Sequence, residues 1–377
     1  MNNKVLSKIN KEIRKNREKL QLTYIFYPRV EKIVGGYYLE LWFSTEGCNF
    51  DKNGSCTMCN YGIGYKVDNE IIIDKLQNYL DKEKLGITEL MISPSGSLWD
   101  KSEVTEDLLY MIYNMVKDTN IDLFMMETRI DTITKLKLKK FKESLPNKKL
   151  IIEIGLESSN DWVLKYLINK NLKVNNFESI INLIKNNNIG VYVNISLGNA
   201  FLTQKEAIAD TITSINFAFK YGVDKVVIFP IHIKPNTFIE WLYKNNFYQT
   251  ISLWSLVKVL SSVEKEFLKN IEIAWYKSYY DDDSKMIASP STCPKCIDKV
   301  IKLLDEYRAT CCYEPIEKLN AIKCECKTKW EKGLEEDKGY LLDRTVAIYK
   351  KASQEILNVN LDISFIDNMR REYVDNF

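Results

Sequence analysis

Short apolar runs alternate with helical patterns through the first two thirds of the chain. Residues 37–44 form an apolar, β-prone run, and residues 72–82 have the spacing of an amphipathic helix. Such alternation predicts a parallel sheet with helices outside it. The predicted strands are 37–44, 89–93, 121–127, 150–156, 190–197 and 223–231, and the predicted helices are 72–82, 105–116, 133–144, 160–167, 177–186 and 205–221.

Six strand–helix units are fewer than the eight of a complete TIM barrel. The pattern therefore predicts an α/β fold, a partial (β/α)6 TIM barrel, over residues 37–235. Residues 1–36 are predicted to be a basic helical extension, with a helix over 4–20. Residues 236–377 are predicted to form a C-terminal region with a Cys-rich metal module at 290–330. Helices at 238–245, 254–268 and 341–356, a short strand at 271–275 and an acidic loop at 281–283 complete that region.

Composition limits the class of protein. The 377 residues are 45% hydrophobic and carry a net charge of only +2, which excludes an intrinsically disordered chain. No stretch approaches the ~18 apolar residues of a membrane span, and the N-terminus lacks the apolar region of a signal peptide. We therefore expect a cytoplasmic protein with no membrane partner. The near balance of 53 basic and 51 acidic residues weakens, without excluding, a nucleic-acid-binding function.

Three cysteines follow the first predicted strand with C-x7-C-x2-C spacing: Cys48, Cys56 and Cys59. Structural zinc sites normally have four ligands, whereas three thiolates can hold a 4Fe–4S cluster and leave one iron open. An open iron can bind S-adenosylmethionine (SAM). Reductive cleavage of SAM gives methionine and a 5′-deoxyadenosyl radical. The alternative is three structural or chance cysteines, since C-x2-C alone is common.

With these residues, the chain resembles the radical SAM superfamily, and within it the branch of the archaeosine synthase radical SAM subunit (RaSEA) and the Elongator catalytic subunit. The loop is four residues longer than the usual C-x3-C-x2-C motif. Other departures are Asn60 for a Gly, Ile130 for a Pro, and 196–200 for a Lys-Pro-Pro-like segment. The resemblance rests on Gly47-Cys48, Cys56-Thr57-Met58-Cys59, Ser95-Gly96-Ser97, Glu127-Thr128-Arg129, Ile154-Gly155-Leu156-Glu157, 202–208, Leu253-Trp254-Ser255, Cys293, Cys296, Cys324, Cys326 and Trp330.

The resemblance implies a radical SAM enzyme that modifies tRNA by a C–N lyase reaction, releasing an amidine-like product from a lysine adduct. It implies a flavodoxin- or ferredoxin-type electron donor and no DNA partner. The departures and the balanced charge favour an alternative, a related enzyme that acts on a small molecule or a peptide. A non-enzymatic alternative is a structural or nucleic-acid-interaction protein with its cysteines bound to zinc.

Two segments at predicted strand ends are candidates for SAM binding. Ser95, Gly96 and Ser97 follow the second strand, where the resemblance places the SAM amino group; an ordinary βα turn is the alternative. Glu127 and Arg129 end the third strand, and alternate residues of a strand face one side. The acid can bond ribose hydroxyls and the guanidinium can bind the methionine carboxylate; a structural ion pair is the alternative.

Further candidates are less specific. Glu157 ends the fourth strand and can hold a ribose or substrate hydroxyl, or merely precede a helix cap. His232, the single histidine, lies beyond the sixth strand and is either an acid–base residue or a structural one. Met58 and Tyr61 of the cysteine loop are counted with the SAM-binding residues by resemblance. The predicted catalytic residues are Cys48, Cys56, Cys59, Glu157 and His232.

A second cysteine group lies near the C-terminus. It consists of two short pairs, Cys293 with Cys296 and Cys324 with Cys326. Two such pairs suit a four-thiolate zinc site, and an auxiliary iron–sulfur cluster is the alternative. Cys311 and Cys312 are extra ligands or buried thiols.

The predicted N-terminal helix, residues 4–20, is basic on one side. If the substrate is tRNA, Arg14 and Arg17 are the first residues expected to contact phosphates. The alternative is an amphipathic helix that packs on the barrel.

Overall fold

The computed structural model describes most of the chain: residues 3–15, 17, 26–33, 35–62, 64, 66–82, 86–277 and 286–376. The predicted acidic loop 281–283 lies outside these ranges, as do residue 16 and residues 18–20 of the predicted N-terminal helix.

Eight strands form one sheet in chain order, and each consecutive pair from β2 to β8 is parallel. β1 is antiparallel to β2. The sheet confirms the predicted partial barrel. The strands are β1 Phe26–Ile33, β2 Gly36–Phe43, β3 Ile87–Pro94, β4 Leu123–Glu127, β5 Lys149–Glu157, β6 Gly190–Leu197, β7 Lys225–Pro230 and β8 Ile271–Ile273.

The sheet continues on both sides of the range 37–235 predicted for the barrel. β8 was expected as a short strand of the C-terminal region, yet it pairs with β7. β1 was not predicted, because its charged residues hide the strand periodicity. It is held to β2 by a turn at Gly35, which has φ +90°, and by the cross-strand ion pair of Arg29 with Glu40 at 2.8 Å.

Helices cover the outside of the sheet and form most of the C-terminal region. They are α1 Lys4–Arg14, α2 Asn49–Lys52, α3 Asn69–Lys82, α4 Glu106–Lys117, α5 Lys135–Ser144, α6 Val174–Lys185, α7 Gln204–Lys220, α8 Phe238–Lys244, α9 Leu253–Ser262, α10 Ile297–Thr310, α11 Glu314–Asn320, α12 Glu325–Leu334, α13 Leu341–Leu357 and α14 Ile363–Val374. Among the described residues, no helix has the length and apolar character needed to cross a membrane.

Local sequence explains several helix boundaries. Thr203 begins α7 with a capping box, in which its hydroxyl accepts from the Glu206 amide and the Glu206 carboxylate accepts from the Thr203 amide. The predicted helix 160–167 is instead a π-helical turn over Val163–Ile168. That turn ends at Asn169, which has φ +60°.

The two faces of the strands divide apolar from polar residues. Along β5, Ile152, Ile154 and Leu156 are fully buried on the side covered by helices. The alternate residues Glu153 and Glu157 line an interior cavity. Because residues of every strand from β2 to β8 line that cavity, the sheet must curl around it.

Candidate active site

The interior cavity has a volume of about 960 Å³ and reaches the carboxyl ends of the parallel strands. Nearly all the site residues predicted from the sequence line it: Cys48, Cys56, Met58, Cys59, Tyr61, Ser95, Gly96, Glu127, Arg129, Glu157 and His232. Ser97 does not; its hydroxyl is fully buried and bonds to the Thr128 hydroxyl at 2.6 Å.

The cysteine loop, residues 48–59, follows β2 and rests on the π-helical turn after β5. The amide of Cys56 donates to the Asn169 carbonyl at 3.3 Å, and the amide of Thr57 donates to the Ile168 carbonyl at 2.9 Å. The backbone of Cys56 has φ +57°, a conformation that residues other than glycine rarely adopt. The amide of Cys59 then donates to the Cys56 carbonyl at 3.0 Å, which brings the C-x2-C pair into a tight turn.

The three thiols suit an iron–sulfur cluster. Burial raises the pKa of Cys56 to about 12 and also raises the pKa of Cys48 and Cys59, so the metal-free thiols are protonated at neutral pH. Coordination to a metal deprotonates a thiol outright. Within the described residues, the loop contributes no fourth thiol or imidazole. Three soft donors on one cavity wall therefore fit a 4Fe–4S cluster with one open iron.

The loop is supported from below by α1 and by Arg17, which follows it. The Arg14 guanidinium donates to the carbonyls of Cys56 and Cys59 at 2.8 and 3.1 Å. Arg17 pairs with Asp51 at 2.7 Å. Both arginine side chains are only 5% exposed. The expectation that these two residues would contact RNA phosphates is wrong, because their charges are already engaged by the loop.

A buried carboxylate, Glu103, joins the segments that follow β2, β3 and β4. It accepts from the amide of Ser97 at 2.9 Å and from the amide of Asn49 at 3.3 Å. A Cβ on Gly96 would overlap this carboxylate, so the position requires glycine. Glu103 was not predicted as a site residue, because a charged residue in a loop has no sequence pattern that marks it as buried.

Arg129 and Glu127 do not pair with each other. The Arg129 guanidinium pairs with Asp100 and, at 2.5 Å, with Glu103. Its Nη1 also lies 3.8 Å from the Cys48 sulfur, so the group stands at the edge of the thiol site. Glu127 instead accepts a hydrogen bond from the Ser93 hydroxyl at 2.7 Å.

The environment of Glu127 is apolar and acidic. Burial, with a contribution from nearby acids, raises the pKa of Glu127 to about 7. Glu153, its neighbour on β5, also has a raised pKa because it is buried beside Glu127. Within the described part of the chain, neither acid forms an ion pair with Lys or Arg.

Glu157 ends β5 with φ +70° and forms an ion pair with Lys170 at 2.9 Å. A Cβ on Gly155 would lie 2.6 Å from both the Glu157 carboxylate and the Lys170 ammonium, so glycine makes room for the pair. Burial alone would lower the pKa of Lys170. The neighbouring Glu157 carboxylate outweighs burial, so this pKa is raised. Lys170 was not predicted from the sequence, since only the tertiary structure brings it to the cavity.

His232 is buried beside the cavity with both ring nitrogens hydrogen-bonded. Nε2 contacts the Trp275 carbonyl, so that nitrogen carries the proton, and Nδ1 lies 3.0 Å from the Ser289 hydroxyl. This tautomer is inferred from the partners. The arrangement corresponds to the structural alternative considered for this residue.

The second cysteine group forms a compact site at the start of α10 and α12. Its four sulfurs all lie within 4.8 Å of one another, with contacts of 3.4 to 3.6 Å: Cys293, Cys296, Cys324 and Cys326. Cys311 and Cys312 lie outside this group; Cys312 is exposed, and Cys311 lines the interior cavity. Burial alone would raise the pKa of the Cys326 thiol. Hydrogen bonds from Trp254 and neighbouring thiols outweigh burial and lower this pKa to about 6.

A curled sheet with three thiols on the loop after β2 can hold a 4Fe–4S cluster with one open iron. No protein-family model matches the chain. The chain is similar to the archaeosine synthase beta subunit of Methanosarcina acetivorans, with 28% identity over 306 residues, 79% of this chain and 85% of that protein. It is similar to the same subunit of Thermococcus kodakarensis, with 27% identity over 316 residues, 81% of this chain and 95% of that protein. These relatives confirm the resemblance inferred from the sequence motifs.

Solved structures with a similar fold include methylornithine synthase, with 14% identity, a TM-score of 0.47, and coverage of 88% of this chain and 91% of that chain. The Elp3 protein of Methanocaldococcus infernus gives 14% identity and a TM-score of 0.47 over 66% of this chain and 61% of that chain. The thiol site and the sequence relatives together support a radical SAM enzyme.

Proposed function

We propose that this chain is a radical SAM enzyme of the RaSEA type, a C–N lyase acting on a modified base in tRNA. One observation carries the proposal: three partly buried thiols on the loop after β2 line a cavity enclosed by the sheet. The tRNA substrate is supported by the relatives, two of which are archaeosine synthase beta subunits.

Cys48, Cys56 and Cys59 would hold the 4Fe–4S cluster. When bound, the cluster and SAM would supply an electron and a 5′-deoxyadenosyl radical that abstracts a substrate hydrogen. The protein confines that chemistry to a cavity shielded by the sheet. Such shielding matters because a reactive intermediate exposed to water is lost to side reactions.

Several cavity residues would orient SAM. Beside the thiols, Gly96 lets the backbone approach the amino group, and Ser95 holds that segment by accepting from the Thr45 amide at 2.9 Å. Glu127 faces the cavity with one oxygen bonded to Ser93 and would accept a ribose hydroxyl with the other. Met58 and Tyr61 would complete the wall around the cofactor.

Arg129 would attract the methionine carboxylate by charge, although Asp100 and Glu103 already hold its guanidinium. Glu157 and Lys170, which also line the cavity, would present one acid and one base to the substrate. We assign His232 no substrate role, because both ring nitrogens are bonded to protein groups.

Single replacement of Cys48, Cys56 or Cys59 by Ala is expected to abolish formation of 5′-deoxyadenosine, because each change removes one of three protein ligands. The measurement is chromatography of SAM cleavage products from anaerobically reconstituted protein with dithionite. Cys312→Ala, which alters an exposed thiol, is the matched control and should retain cleavage. Undiminished cleavage in any loop variant contradicts the proposal.

A radical SAM enzyme on a small molecule or a peptide is the second candidate. The net charge of +2 and the engagement of Arg14 and Arg17 by the cysteine loop favour it. Mass spectrometry of tRNA nucleosides and small-molecule products after turnover separates the two candidates. A flavodoxin- or ferredoxin-type protein is the expected physiological electron donor in both.

The four-thiol site would bind a single zinc ion. Sulfurs in mutual contact suit ligands of one tetrahedral ion, whereas the cysteines of a cubane cluster each bind a different iron and stand further apart. A structural zinc would join α10 to α12 and add folding free energy. A zinc-only, non-enzymatic protein would be colourless, whereas the iron–sulfur enzyme purified without oxygen is brown.

A further inference from the structure

The cysteine loop is longer than the superfamily's usual motif, and α1 approaches its underside. Gly54 of the loop has φ +82°, and a Cβ there would overlap the Ser7 carbonyl of α1. The side chain of Asn10 donates to the Gly54 carbonyl at 2.7 Å. The helix and the loop are therefore in direct backbone contact.

One side chain of α1, Arg14, makes most of the polar contacts to the loop. Its Nη1 donates to the carbonyls of Asp51 and Ser55 at 2.8 and 3.0 Å. Its Nη2 donates to the carbonyls of Cys56 and Cys59 at 2.8 and 3.1 Å. A planar guanidinium with five donors in fixed directions can satisfy such convergent acceptors, whereas a lysine ammonium is a compact point charge.

The charge of Arg14 is balanced within the loop. Asp51 has a fully buried side chain, with one carboxylate oxygen 3.5 Å from Arg14 and 2.7 Å from Arg17. Buried carbonyls without donors are costly, and so is a buried charge without a partner. The pair therefore satisfies both requirements at once.

The helix that carries Arg14 is itself fixed. Leu6 and Ile9 are fully buried, and the side chain of Asn3 donates to the Tyr349 hydroxyl of α13 at 2.7 Å. The backbone amide of Asn3 donates to the side chain of Asn169 at 3.1 Å. Arg14 therefore extends from a rigid support.

We propose that Arg14 is a positioning residue, which holds the carbonyls of Cys56 and Cys59 so that the thiols of the extended loop face the cavity in the geometry needed for the cluster. Cys56 has a left-handed backbone conformation, which is unfavourable for a residue with a side chain and persists only where its surroundings fix it. Seven residues separate Cys48 from Cys56, and such a length gives the loop freedom that the guanidinium removes.

The proposal rests on the proposed function only for the identity of the metal group. Its test therefore begins with metal-free protein. The variants are Arg14→Lys, which keeps the charge without the fork, and Arg14→Met, which keeps the apolar stem. Lys11→Met, an exposed change on the same helix, is the control. Hydrogen exchange followed by mass spectrometry reports on the loop, residues 48–59, separately from the strands of the sheet.

We expect exchange of the loop amides to rise about tenfold or more in Arg14→Lys, while protection of β3 to β7 stays unchanged, since four hydrogen bonds to the loop are weakened locally. Anaerobic reconstitution should then give less iron and sulfide per chain, and faster iron loss to a chelator, than the Lys11→Met control. Arg14→Met should show the larger effect.

Loop exchange and iron content equal to wild type in Arg14→Lys would overturn the proposal, as would uniform loss of protection across the barrel. If Arg14→Met fails to fold, Arg14→Lys decides the question. If wild-type protein binds no iron, the proposed function fails, and the exchange experiment still decides whether Arg14 positions the loop.

Discussion

Single buried charges carry much of the site's organisation. Glu103, Lys170 and Arg14 each reach across the structure to a segment that bears a predicted site residue. Water cannot solvate these charges fully, because each side chain is at most about one eighth exposed. Replacing one member of such a group removes hydrogen bonds or an ion pair that a buried partner cannot recover from water.

Glu103→Gln is expected to destabilise the fold by about 1–3 kcal/mol, because Arg129 loses the most buried of its carboxylate partners while Asp100 remains. Urea denaturation of metal-free protein measures the change. Glu106→Gln is a matched control, since Glu106 forms only an exposed ion pair with Lys101 and its loss should leave the unfolding free energy essentially unchanged. Equal stabilities of the two variants would contradict a structural role for the Glu103 carboxylate.

Glu127 gives the fold a defined pH dependence. Burial raises its pKa to about 7 in the folded state from an ordinary 4.5. The folded chain therefore retains a proton that the unfolded chain releases, so stability falls as pH rises between about 4.5 and 7 and levels off above that window. The expected loss reaches up to about 3 kcal/mol.

Glu127→Gln keeps an acceptor for Ser93 and removes the titration. Unfolding free energies of metal-free wild type and variant at pH 5 and pH 8 provide the test. The unfolding free energy of the variant minus that of wild type should be larger at pH 8 than at pH 5. A difference between the two proteins that is independent of pH would falsify the shifted titration.

At the level of elements, the two cysteine groups belong to separate supports. The first lies on a loop between β2 and α3, held by α1 and by the turn before Asn169. The second lies at the beginnings of α10 and α12, where short backbone turns at Cys293 and Cys324 present paired thiols. Loss of one metal is therefore expected to leave the other in place.

Cys293→Ser is expected to release zinc and lower the melting temperature, while iron bound at the first group stays constant. Metal analysis by plasma mass spectrometry, with Cys312→Ser as the control, measures both metals. A drop of about half in iron content would identify the second group as an auxiliary cluster.

At the scale of the whole molecule, balanced charge constrains how a tRNA can bind. Only a local basic surface can attract phosphates when basic and acidic residues nearly cancel. Arg14 and Arg17 do not belong to such a surface, because both side chains are buried against the cysteine loop. Exposed lysines of α1, such as Lys8 and Lys11, remain available on its outer side.

If tRNA is the substrate, log affinity is expected to fall with log salt with a slope of several units. Lys8→Gln combined with Lys11→Gln should reduce that slope by about one to two if α1 contacts the phosphates. Filter binding across a salt series measures it. No affinity at low salt, where attraction is strongest, would favour the small-molecule or peptide substrate.

The sequence by itself determined the parts of this protein that depend on local pattern. Short apolar runs that alternate with helical spacing predicted the strands β2 to β7, because buried strands and amphipathic helices leave local patterns of apolar residues. The spacing of Cys48, Cys56 and Cys59 indicated an open three-thiolate site, and the two later pairs indicated a second metal.

Only the tertiary structure decided how charged residues are used. The partners of Arg14 lie 37 to 45 residues away along the chain, and Glu103 bonds to Asn49 across 54. Such pairing depends on which segments the barrel brings together, and no local periodicity records it. The basic N-terminal segment thus supports the cysteine loop, because Arg14 and Arg17 find the Asp51 carboxylate, and Arg14 the loop carbonyls, only in the folded chain.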